Sequence, residues 1–187
     1  MTANQATGFT LIELMVTIAV LAIMLFIALP NFAVWMQNTQ IRTAGEAVLN
    51  GMQLARAEAI RRNTAVELLM NVSSGWTATV LGTGEVIQSR VAGEGSAAAL
   101  VTIAPVGATR ITFDAFGSIT ANIDGTPAIT EIKIDSPSIA AADSRELCVL
   151  VRAGGNVRMC DPQVPSTDSR TCIPPLPAPQ IVPAGCT

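Results

Sequence analysis

From Phe9 to Leu29 the chain is apolar except for Thr10, Glu13 and Thr17. Roughly 20 such residues at about 1.5 Å rise match the ~30 Å hydrocarbon core of a bilayer, so this stretch predicts a membrane-spanning helix. After Pro30 the pattern changes period instead of stopping. Ile41, Ala44, Val48, Met52, Ala55 and Ala59 recur three or four apart, which is one apolar stripe on an amphipathic helix, and Arg42, Glu46, Gln53 and Arg61 fall on the opposite side. The second stretch should continue the first, with a kink at Pro30, because the proline ring removes an N–H and crowds the preceding turn. Arg61, Arg62 and Asn63 form a stop signal: cations suit a helix carboxyl end and Asn tolerates a left-handed cap.

From Thr64 onward the chain breaks into short β-branched stretches separated by Gly, Asn, Ser and Pro: AVELLMNV, WTATVLG, EVIQSRV, LVTIA, ATRITFDAFGSIT, ITEIKIDS and ELCVLVRAGGNVRMC. These predict strands. The expected fold is α+β, a long N-terminal helix packed on an antiparallel β-rich head. Its parts are a leader (1–8), a spanning helix (9–29), its amphipathic continuation (30–63), the head (64–162) and a Pro-rich tail (163–187).

Cys148, Cys160, Cys172 and Cys186 have no C-x-x-C spacing, so they suit disulfides made in an oxidising compartment better than a metal or redox site. Cys148 and Cys160 lie symmetrically about Gly154, and a hairpin there brings them opposite each other at about 4.5 to 5.5 Å between Cα atoms. That spacing favours Cys148–Cys160, leaving Cys172 with Cys186 to close the tail. Four cysteines allow three connectivities.

The 187 residues are half hydrophobic and 13% charged, with a net charge of -3. Beyond the helix about 100 residues remain, enough for one modest core and no large enzyme. Histidine is absent. Nucleophilic triads usually need it, there is no HExxH or Cys/His metal set, and the aspartates mostly sit beside turn signals, so neither an enzyme nor a cofactor is expected.

Glu13 carries the most chemistry, because an ionisable group in a membrane helix costs about 2.5 to 3.5 kcal/mol on insertion scales. A cation at the same depth offsets that cost. Cleavage after Gly8 creates one, the α-amino group of Phe9, about one turn from Glu13 and within reach of a neighbouring subunit's carboxylate. An ordinary secretory signal has its cleavage site after the apolar run, whereas Gly8 stands before it.

The segment GFTLIELMVTIAVLAI, residues 8 to 23, resembles the processing and assembly segment of type IV pilins and type II secretion pseudopilins. The resemblance implies cleavage by a prepilin peptidase between Gly8 and Phe9, N-methylation of Phe9, an assembly role for Glu13 and a kink at Pro30. It implies a single-pass inner-membrane protein, head in the periplasm, that passes into a pilus or pseudopilus beside other minor pilins or pseudopilins and the major pilin. The leader MTANQATG departs from the usual pattern in having no basic residue.

RAEAIRRN, RITFDAFG and LCVLVRAGGNVRMCDP resemble the GspH/FimT group of minor pilins and pseudopilins. The resemblance implies a subunit at or near the tip of a type IV pilus that assists assembly and initiation, or alternatively the H-type pseudopilin of type II secretion. Some members bind DNA for natural transformation through a Gly-Arg-x-Arg motif. Here Gly155-Asn156-Val157-Arg158 stands in its place, leaving Arg158, with Arg152 and Arg170, as candidate DNA contacts. DNA affinity rests mainly on neutralised phosphates, and an acidic chain with three scattered arginines supplies few, so this reading ranks third.

Overall fold

One α-helix, α1, runs from Leu11 to Arg62 in the computed structural model, which describes residues 9–71, 73–172 and 186 and, for Pro30, the backbone alone. The chain divides into two units, residues 1–36 and 37–187. In the first, α1 is long and apolar enough to cross a membrane, and its large side chains from Leu11 to Leu29 are exposed. Helical structure continues through Pro30. The proline has no N–H to give to the carbonyl of Phe26, which weakens the helix there without ending it.

In the second unit α1 lies on two antiparallel sheets. In chain order the strands are β1 (Val66–Met70), β2 (Trp76–Val80), β3 (Val86–Arg90), β4 (Leu100–Ala104), β5 (Arg110–Phe113), β6 (Ile119–Thr120), β7 (Glu131–Asp135), β8 (Leu147–Val151) and β9 (Val157–Cys160). Every stretch read as β from the sequence contains a strand. The sheet orders are β3-β2-β1-β5-β6 and β4-β7-β8-β9, so the chain leaves the first sheet for β4, returns for β5 and β6, and ends in the second.

Alternation along the strands sends one face of each sheet inward. Trp76, Ala78 and Val80 are buried between half-exposed Thr77 and Thr79, and Ile132 and Ile134 turn inward from β7. The helix closes the core with the stripe read from the sequence: Ile41, Ala44, Val48, Met52, Ala55 and Ala59 are all fully buried. Removing a Leu-sized side chain from water contributes about 1.5 to 3 kcal/mol, so this face fastens α1 to the head. Trp76 sets the fit. Its indole Nε1–H donates to the Ala47 carbonyl at 3.0 Å, and a Cβ on Gly51 would lie 2.6 Å from the ring.

The helix ends as its sequence signals. Asn63 takes φ +51°, and the Thr64 N–H returns to the Ala59 carbonyl at 3.2 Å, a left-handed cap that satisfies the last turn. Glu58 accepts from both Arg61 and Arg62, and Arg62 also reaches Glu85 at 2.8 Å, tying the helix end to the β2–β3 turn. Hydrogen bonds from Arg61 and then Arg62 hold the Glu58 carboxyl down to about 2, from an ordinary 4.5. A lowered carboxyl pKa gives stability that is present above the unfolded value and lost as pH falls through the folded one. Thermal melts between pH 4.5 and 2 should therefore show a loss in the native chain that is smaller in Glu58→Gln. Equal losses would contradict the role given to this cluster.

Candidate functional site

The amino end of α1 shows how its polar residues are accommodated. Thr10 stands just before the helix, and its Oγ1 accepts from the Glu13 N–H at 3.3 Å while its carbonyl accepts from the Leu14 N–H at 3.2 Å. Thr10 is thus an N-cap, and Thr-x-x-Glu is the sequence signature of a capping box, a signal the sequence reading did not use. Thr17 turns its hydroxyl back to the Leu14 carbonyl at 2.9 Å. Both threonines are satisfied by the helix itself, and the Glu13 carboxylate has no bond among the described residues. A carboxylate in the first turn also meets the positive end of the helix dipole. Phe9 is exposed, and Gly8 lies outside the described residues.

The three stretches RAEAIRRN, RITFDAFG and LCVLVRAGGNVRMC meet at one place. Asp114 Oδ1 accepts from the Phe116 and Ser118 N–H groups, building the β5–β6 turn that presents Gly117. The β8–β9 turn arrives opposite it, and the Ile119 N–H donates to the Ala153 carbonyl at 3.1 Å. Arg56, from the helix, donates its Nε–H to the Gly117 carbonyl at 2.9 Å. Contact is so close that a Cβ on Gly155 would sit 1.8 Å from that carbonyl oxygen, and Gly155 also has φ +74°. RAEAIRRN, RITFDAFG and LCVLVRAGGNVRMC therefore contribute one residue each, Arg56, Gly117 and Gly155, to a joint between helix, first sheet and second sheet. Beside it Gln53, Arg56, Ala57 and Ile60 of the helix and Gly155 to Val157 of the hairpin line a groove of about 300 Å³.

The family model described as type II transport protein GspH matches residues 44–155, which spans this joint and both sheets up to the last hairpin. The chain belongs to that family. A second model, the prokaryotic N-terminal methylation motif, matches residues 4–29 of this GspH-family chain and so includes Gly8, Phe9 and Glu13. Among solved structures, two crystal forms of the type IV minor pilin FimU of Pseudomonas aeruginosa are similar, each at 17% identity. Their TM-scores are 0.45 and 0.47, and the matches cover 65% and 69% of this chain and 97% of the FimU chain. No curated protein matches. The family is one of pilin-like subunits, and membership together with the N-terminal methylation motif implies assembly with other pilins and processing by a prepilin peptidase.

All four cysteines of this GspH-family head form disulfides, but the pairing expected from their spacing is wrong. The bonds are Cys148–Cys186 and Cys160–Cys172. Cys148 and Cys160 do stand opposite each other on β8 and β9. The reason they do not bond is strand parity. Arg152 and Asn156 form a hydrogen-bonded pair beside the turn, with Arg152 N–H to Asn156 O at 3.0 Å, and counting in twos makes Cys148 and Cys160 a hydrogen-bonded pair too. Such pairs hold their Cα atoms about 5.5 Å apart and their Cβ atoms nearly as far, beyond the roughly 3.5 to 4.5 Å between Cβ atoms that a disulfide uses. Each sulfur instead takes a partner from the segment after β9.

The arginines considered for DNA have different surroundings. Arg158 donates to the carbonyls of Thr171 at 2.9 Å and Cys172 at 3.0 Å, fastening that segment over β9. Arg170 pairs with Asp168 at 2.8 Å and lines a different cleft, with Asn38, Arg42 and Arg145. Arg152 is exposed at the hairpin.

Proposed function

We propose that this chain is a minor pilin, built into a type IV pilus at or near its tip, where it assists assembly and initiation. It inserts through α1 with its head in the periplasm, is cut between Gly8 and Phe9, is methylated on Phe9, and leaves the bilayer as α1 packs among neighbouring helices. Leu11, Leu14, Val16, Ile18 and Leu21 then exchange lipid for protein contacts, and Glu13 meets the amine of an adjacent Phe9 and sets the register. The observation that carries this reading is α1 itself. It offers an exposed apolar surface whose threonine hydroxyls are internally bonded and whose one carboxylate is left for a neighbour.

A second reading, the H-type pseudopilin of type II secretion, is favoured by the description of the matching family as a type II transport protein. One deletion strain separates the two. Sheared surface material, culture supernatant and periplasm run side by side should show loss of surface pilin with normal secretion for the pilus reading. Intact pili with exported proteins held in the periplasm would overturn it in favour of secretion.

A further inference from the structure

Glu131 opens β7 on the face of the second sheet turned away from the helix, where alternation leads one to expect a solvated acid, yet it is only 2% exposed. Its Oε2 is buried and accepts no hydrogen bond among the described residues. An orphaned buried oxygen calls for an explanation, and a redox role is one of the recognised kinds. One Glu131 carboxylate oxygen and the sulfurs of Cys148 and Cys186 all lie within 4.8 Å of one another. Among the described residues the charged groups facing it are few. Lys133, two residues along β7, pairs with Glu146 at 2.7 Å, and Arg158, beyond Leu150 on β9, is held by the Thr171 and Cys172 carbonyls. Ala104 of β4, Cys148 and Leu150 of β8, and Cys186 bring no charge.

We propose that Glu131 is the proton acceptor that forms the Cys148–Cys186 disulfide. The oxidant is a disulfide-bearing molecule of the oxidising compartment. The Cys186 thiol loses its proton to solvent and attacks the oxidant, whose S–S bond breaks, leaving one half on Cys186 as a mixed disulfide and releasing the other as a thiolate that is protonated from solvent. The Cys148 thiol gives its proton to the Glu131 carboxylate, and the resulting thiolate attacks the Cys186 sulfur. The Cys148–Cys186 bond forms as the mixed disulfide breaks, and the remaining half of the oxidant departs as a thiolate that takes its proton from solvent. A buried carboxylate and a buried thiolate cannot both stay ionised side by side, so moving one proton between them keeps a single charge in the pocket throughout. Afterwards the carboxyl remains buried, and its pKa stays raised by desolvation, opposed by Lys133.

The test uses the full chain in detergent, reduced, loaded in acid with less than one equivalent of glutathione from its pyridyl disulfide, which reacts with thiols at low pH, and then jumped to a series of higher pH values. Alkylation and peptide mass analysis read Cys148–Cys186 and Cys160–Cys172 separately. Glu131→Gln should slow the first bond by about 100-fold near neutral pH, leave the second unchanged, and be partly rescued by Glu131→Asp. In the native chain the first rate should level off below the free thiol range of about 8.5. Equal slowing of both bonds, no slowing, or a native rate that climbs unbroken through the thiol range would overturn the proposal.

Discussion

A Gly155→Ala chain is expected to lose about 3 to 4 kcal/mol of the stability of its head, while Gly154→Ala, one residue earlier, stays near neutral. The two glycines share a turn and differ in what surrounds them. Nothing lies within 4 Å of a Cβ placed on Gly154, whereas one on Gly155 meets the Gly117 carbonyl oxygen at 1.8 Å and its carbon at 2.9 Å. The left-handed backbone of Gly155 adds a cost of about 1 to 2 kcal/mol for any residue with a Cβ. Relieving the clash means parting the two hairpins, which breaks the Ile119–Ala153 and Arg56–Gly117 hydrogen bonds at about 1 kcal/mol each. Together these reach about 3 to 4 kcal/mol, set against domain stabilities of about 5 to 15 kcal/mol. Urea melts of the full chain in detergent, followed by the emission of buried Trp76, read the difference. A Gly155→Ala midpoint within error of Gly154→Ala would show that the joint does not hold the sheets together.

The second large effect is on assembly and leaves folding untouched. Glu13→Ala should insert at least as well as the native chain, because it removes a charge that costs about 2.5 to 3.5 kcal/mol in a membrane helix. It should nevertheless be scarce in sheared filaments. Two unit charges about 4 Å apart attract by about 4 kcal/mol at an effective dielectric of 20, and even after desolvation the surplus supports a loss of tenfold or more. Glu13→Asp, which keeps the charge on a shorter side chain, should fall between. Quantitative blotting of membrane and sheared fractions reads both steps, and normal incorporation of Glu13→Ala would remove the assembly role.

What was legible in the sequence was whatever repeats locally. The α1 stripe is visible because burial on one face leaves a trace every three or four residues, and the strands because β-branched runs lie between turn formers. The Asn63 cap was equally plain. Partition into two sheets was not, because nothing in β4 or β5 states which sheet it joins. The cysteines show the limit sharply: the opposition of Cys148 and Cys160 followed from symmetry about the turn, but their bonding depended on hydrogen-bond parity and on where Cys172 and Cys186 return. ITEIKIDS reads as a strand, but alternation reports the side of a sheet and not what later covers it, so the burial of Glu131 is visible only in the fold. Similarly, Arg56, Gly117 and Gly155 lie in separate stretches of the sequence, and only the fold brings them to one joint.

The central claim is that this GspH-family chain is a processed filament subunit, and its amino terminus tests that most directly. Filaments sheared from cells carrying the native gene would be dissolved and the chain's N-terminal peptide weighed and fragmented. A peptide beginning at Phe9 and bearing a methyl group on its amine is the expected result. A chain that still begins at Met1, or that stays wholly in the membrane and never enters the sheared fraction, would contradict it.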